Sequence, residues 1–164
     1  WLVTILLAAV SVVVYGLLTN IQRFDPKRKT SGGSTTFNRL AFGLVVFMAA
    51  LNFVIIASSR GDIDLQRVMF PLMGLLFAFI GNYMNHIKPI YFAGIRLPWT
   101  LNSDENWRRT HQLAGKIWFA GGVLIAIAGL VLSSSLAFPF FVGALVIMVL
   151  IPVIYSYRLF KQQV

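Results

Sequence analysis

VMFPLMGLLFAFIGNYMNHIKPIYFAGIRLPWTLNSDENWRRTHQLAGKIWFAGGVLIAIAGLVL, Val68 to Leu132, opens on one apolar run free of Lys, Arg, Asp and Glu, Val68 to Ile87, and closes on another, Ile117 to Leu132. Each approaches the ~20 residues with which a helix crosses a bilayer core of about 30 Å. Working outward, Leu2 to Ile21, Leu40 to Ser58 and Phe138 to Tyr157 are also charge-free. The hydrophobic fraction is 58%, above the roughly 45–50% of an ordinary soluble domain and more than one small core can hide. The sequence therefore predicts an all-α protein: a single polytopic transmembrane helical domain over 1–164, with five spans at about 2–21, 40–58, 68–87, 117–132 and 138–157.

Basic residues collect on the cytoplasmic side of membrane proteins. Of the 14 Lys and Arg, only Arg60 and Arg67 fall on one side; the others, from Arg23 and Lys27 through Lys88, Arg96, Arg108, Arg109 and Lys116 to Arg158 and Lys161, fall on the opposite side. That asymmetry predicts an N-terminus outside, a cytoplasmic loop at 88–116 and a cytoplasmic C-terminus. The net charge of +9 is then accounted for by topology and anionic lipid, at about 1 kcal/mol per cation near an anionic leaflet, without direct nucleic-acid binding. With no cysteine, disulfides, thiolate catalysis and thiolate metal sites are excluded. Trp1 opens inside an apolar stretch without a signal-peptide n-region, which predicts a longer natural chain with a further helix upstream.

Between the spans, residues 22–38 read as a flexible loop, 59–66 as a short connection and 133–137 as a turn. Pro71 is placed in the first turn of its helix, and Pro152, deep in the last span, is expected to kink it. Gly74 with Ala78, Gly122 with Ala126 and Gly129 with Ser133 are spaced for close helix approach. Ser103 to Gly115 reads as a separate helix, capped by Ser103, led by Asp104 and Glu105, and ended or hinged at Gly115. It is expected to lie on the membrane surface with Trp99, Trp107 and Trp118 at headgroup depth.

No carboxylate or basic side chain interrupts the spans, which disfavours an ion-coupled transporter. Asn82, Asn85 and His86 read as helix-end polarity. No catalytic group and no metal site is assigned, and no cofactor: Asp104, Glu105 and His111 share one short helix, and two histidines lack a third clear ligand. What the loop offers is recognition chemistry. Arg96 stands between Gly94 and Pro98, followed by Trp99 and Thr100, a turn that would present a guanidinium suited to carboxylate or phosphate.

The run GNYMNHIKPIYFAGIRLPWTL followed by SDENWRRTHQLAGK resembles the SdpI-type immunity protein family of bacterial membrane proteins. The positions carrying the resemblance include Gly81, Asn82, Lys88, Pro89, Tyr91, Phe92, Gly94, Arg96, Pro98, Trp99, Thr100, Glu105, Trp107, Thr110, His111 and Gly115. Ile90 departs from a position where the pattern often has Asn, Leu97 from one with Thr, and Asn106 from an apolar one. The resemblance implies a non-catalytic immunity and signalling protein of the bacterial inner membrane. It would protect against a membrane-active peptide toxin and hold a cytosolic repressor at the membrane. The binding set it implies is Asn82, Lys88, Tyr91, Gly94, Arg96, Pro98, Trp99, Thr100, Trp107, Thr110 and His111, with Arg96, Trp99, Trp107 and His111 as a readout surface. Membrane lipids are the other expected partner. The alternative is a structural accessory subunit packed beside other membrane subunits in a larger complex.

Overall fold

The computed structural model describes residues 2–20, 34–87 and 94–162. Six helices occupy them: α1 (Leu2–Asn20), α2 (Ser34–Ser59), α3 (Leu65–Met84), the single turn α4 (Pro98–Leu101), α5 (Asp104–Val131) and α6 (Ser134–Lys161). All but α4 are long and apolar enough to cross a membrane, so the five expected spans are present. Among the described residues there is no strand.

Several boundaries differ from the sequence reading, among them the start of α2 at Ser34, within the expected loop at 22–38. Helix α3 starts at Leu65, which moves Pro71 from the first turn into the helix interior. Helix α6 starts at Ser134, so the expected turn at 133–137 shrinks to Leu132 and Ser133. The largest correction concerns Gly115: α5 is one continuous helix, and Gly115 neither ends it nor serves as its hinge. Ser103 does cap it, its Oγ accepting the Asn106 N–H at 3.2 Å. At 28 residues the helix is about 42 Å long. Lys116 closes its polar part, so Asp104–Lys116 is continuous with the apolar length of the same helix rather than a separate one.

Gly115 is retained by the helix because of what it faces. A Cβ there would stand 2.9 Å from the Gly81 carbonyl and from the Asn85 side chain. The same holds along the antiparallel α3–α5 seam: a Cβ on Gly74 would meet the Gly122 carbonyl at 2.6 Å, and one on Gly122 would meet the Gly74 carbonyl at 2.6 Å. Lipid gives no hydrophobic drive for helix pairing, so backbone-close van der Waals contact supplies it. The small residues of the two spans thus hold this chain to itself. Gly129, expected to act with Ser133, instead makes room for Phe70 and Pro71.

Helix α6 packs on α5, α2 on α3, and α1 on α2. The ring of Phe79 sits where a Cβ on Gly43 would be. Phe77 meets Trp118 edge-on at 5.5 Å and, with Phe70, reaches Phe141 on α6, so aromatic rings tie three helices together. No residue of α1 is buried, and Phe53, Leu75, Leu130 and Phe138 are among many apolar side chains left exposed elsewhere. A bundle apolar on its outside and packed through glycine inside is built for lipid.

Candidate functional site

The antiparallel order brings the ends of α3 and α6, the start of α5 and residues 94–103 together at one end of the bundle. Gly94 begins the site with φ of +106°, a backbone conformation open to glycine at little cost. A Cβ there would also stand 2.9 Å from the Trp107 ring. The chain then turns over His111. The Ile95 N–H donates to His111 Nε2 at 2.9 Å, and His111 Nδ1 lies 2.8 Å from the Trp107 carbonyl. Because an amide can only donate and a carbonyl only accept, the ring is a neutral imidazole carrying its proton on Nδ1. Only 1% of His111 is exposed, it stacks on Trp107 with ring centroids 4.1 Å apart, and this burial pushes its pKa below the ordinary imidazole value.

Pro98, at the first position of α4, supplies a preset φ. Thr100 closes the turn: its Oγ1 accepts the Leu97 N–H at 2.9 Å and stands 2.9 Å from the Ile95 and Leu97 carbonyls, one of which takes its proton. Arg96 is thereby presented on an exposed position of a turn whose backbone is pinned on both sides.

Trp99 faces α6, where its Nε1–H donates to Ser156 Oγ and its ring stacks on Phe160 and meets Tyr157. The Ser156 carbonyl accepts from Asn106 Nδ2 at 3.0 Å, and Asn106 Oδ1 accepts from Thr110 Oγ1 at 3.0 Å. All three of Asn106, Thr110 and Ser156 are fully buried. In dry surroundings such a polar group is costly unless paired, and here each one is. The Trp107 indole donates to the Ile87 carbonyl at 3.1 Å, tying α5 to the end of α3.

Lower down, Pro152 has no N–H for the carbonyl four residues earlier, Met148. That carbonyl accepts instead from Trp118 Nε1 at 3.1 Å. Trp118 is thus tied to α6 by a backbone bond, and Trp107 is 1% exposed, its ring packed inside the bundle. On the outer face, Glu105 takes hydrogen bonds from Arg108 and Arg109, which hold its carboxyl down to about 2.

Of the predicted site residues, the structure joins Gly94, Pro98, Trp99, Thr100, Trp107, Thr110 and His111 in one network, with Arg96 exposed above it. Trp107, Thr110 and His111 are buried supports of the turn and present no outer surface. Asn82 is exposed on the last turn of α3 and is not drawn in; Lys88 and Tyr91 lie outside the described residues. Sequence reasoning missed Ser156 and took Asn106 only as a departure from a pattern. The one available signal was a lone serine in the run IPVIYSY. Among the described residues no three of His, Asp and Glu gather as metal ligands would.

Fold and site define a multi-pass helical membrane protein with a hydrogen-bonded turn fastened to one end of its bundle. The sequence model of the SdpI/YfhL protein family matches residues 86–156, from just past the end of α3 through Ser156, in agreement with the resemblance read from the sequence. No curated protein and no solved structure matches the chain.

Proposed function

We propose that the protein is a non-catalytic immunity and signalling protein of the bacterial inner membrane. It binds a membrane-active peptide toxin and relays that state through the turn at Gly94–Leu101 to a cytosolic repressor. The turn, α5 and most of α6 lie in the segment that matches the family. The observation that carries the reading is the construction of that turn: an exposed Arg96 held on a backbone fixed by His111, Thr100 and Trp99 is a shaped recognition surface outside the apolar layer. In this reading the turn faces the cytoplasm with both Arg158 and Lys161, as the excess of basic residues at this end favours, and anionic lipid surrounds it.

The test is a pull-down of the tagged full-length protein from native membranes in mild detergent, with bound proteins identified by mass spectrometry. A small secreted peptide or a DNA-binding repressor in the eluate, reduced by Arg96→Ala or Trp99→Ala while the variant still inserts, is the expected result. A stoichiometric set of larger membrane subunits, unaffected by either substitution, would overturn it in favour of a structural accessory subunit.

A further inference from the structure

We propose that His111 is a proton-operated latch on the turn that presents Arg96. Both ring nitrogens are committed to the backbone in a way only the neutral ring allows: Nδ1 donates to Trp107 and Nε2 accepts from Ile95. A proton on Nε2 converts that acceptor into a donor aimed at another donor, and the contact that holds the turn down becomes repulsive. The turn lies close over the same ring, where even a Cβ on Gly94 would crowd His111 Nε2, and Trp107 stacks on the ring's face, so the imidazolium has little room to turn away while the turn stays closed.

Nothing described around the ring holds it in the charged form. Its described contacts, Gly94 and Ile95 from the turn and Trp107 from α5, carry no charge. The charged or titratable groups on the surrounding elements are Arg96 on the turn, Asp104, Glu105, Arg108, Arg109 and Lys116 on α5, Arg67 and Tyr83 on α3 with His86 just past it, and Tyr155, Tyr157, Arg158 and Lys161 on α6. Glu105 is already engaged by Arg108 and Arg109. With the turn open, water reaches the ring and it takes a proton near its ordinary pKa of about 6.5.

The sign follows from proton linkage. The open state binds the proton and the closed state refuses it, so closure is complete above about pH 6.5 and weakens tenfold per pH unit below it. Between about pH 7.5 and pH 5 the open-to-closed ratio rises about thirty-fold. Trp99 and Thr100 are not titrated in this range, so the far side of the turn stays on α6 while the Gly94–Ile95 side lifts. The Arg96 surface then changes shape with the pH on its side of the membrane.

The chain has two histidines, and His86 is exposed, which makes a clean control. Hydrogen exchange of peptides covering residues 94–101, corrected for intrinsic rates, is measured on the full chain in micelles at about pH 7.5 and pH 5. Wild type and His86→Gln are expected to lose protection at Ile95 by about thirty-fold at the lower pH; His111→Gln, which can still accept from Ile95, is expected to show the same protection at both. In the His86→Gln protein the remaining imidazole signals belong to His111, and their titration followed by NMR should track the loss of protection at Ile95. Unchanged protection in wild type, a pH response that survives in His111→Gln, or a His111 titration that leaves Ile95 protected would each overturn the latch.

Discussion

Adding one methyl group at Gly122 tests the packing on which the whole bundle depends. An alanine Cβ there would stand 2.6 Å from the Gly74 carbonyl oxygen and 2.9 Å from Ala78 Cα, against the roughly 3.5–4.0 Å at which carbon contacts are comfortable. The obstructing atoms are backbone, so no side chain can swing aside, and α3 must retreat from α5 by about 1 Å. That retreat also loosens Gly74, Gly81, Gly115 and Ala126, which share the seam. Overpacking of this kind costs about 1–3 kcal/mol, and a rigid obstacle puts it toward the upper end. The gain from replacing glycine inside a helix offsets up to about 1 kcal/mol, leaving a net loss of about 2 kcal/mol.

Gly143 on α6 provides the reference, because a Cβ there meets nothing within 4 Å; Gly143→Ala should stabilise by about 0.5–1 kcal/mol through helix propensity alone. The two variants therefore differ by about 3 kcal/mol, more than a hundredfold in the unfolding equilibrium. Reversible unfolding in mixed micelles titrated with a denaturing detergent, followed by helical circular dichroism, reads the difference. If Gly122→Ala proves as stable as Gly143→Ala, the close α3–α5 seam is not what holds the bundle together.

Two further outcomes follow from the site. Trp118→Phe strips the Met148 carbonyl of its donor and should cost about 1–3 kcal/mol. Combined with Pro152→Ala, which restores a helical N–H for that carbonyl, the loss should be largely recovered, so a double-mutant cycle should be strongly non-additive; additive costs would refute the role given to Trp118. Gly94→Ala asks an L-residue to hold φ of +106° and to share space with Trp107 and His111. A strained backbone of this kind costs about 1–3 kcal/mol. It should abolish the protection of the Ile95 amide against hydrogen exchange, while the spans, whose packing does not involve Gly94, keep their helical signal. Retained protection at Ile95 would show that the turn does not rest on this glycine.

How far the site was legible depended on how far each residue acts through its neighbours in sequence. The cap at Ser103 and the turn signal of Gly94 and Pro98 were readable, because both are local backbone demands. The tryptophans were not. An indole beside a membrane segment reads as an interfacial anchor, and only the packing of α5 on α3 and α6 shows that Trp107 and Trp118 spend their N–H groups on the backbone carbonyls of Ile87 and Met148. Gly115 misled for a related reason: glycine in a polar stretch signals a helix end, yet here it serves close helix approach, a demand that comes from another part of the chain.

By itself the sequence determined that this is a helical membrane protein, since five apolar runs of spanning length leave the backbone no other way to satisfy its polar groups in lipid. It also determined where the polar chemistry would sit, because charges are excluded from the spans. Only the tertiary structure decided which polar residues present a surface and which support it. Arg96 stays exposed, while His111, Thr110, Asn106 and Ser156 are buried and paired. The antiparallel arrangement of α3, α5 and α6 brings residues some 50 positions apart within hydrogen-bonding distance, and away from bulk solvent these four buried polar side chains are held by the partners this arrangement supplies.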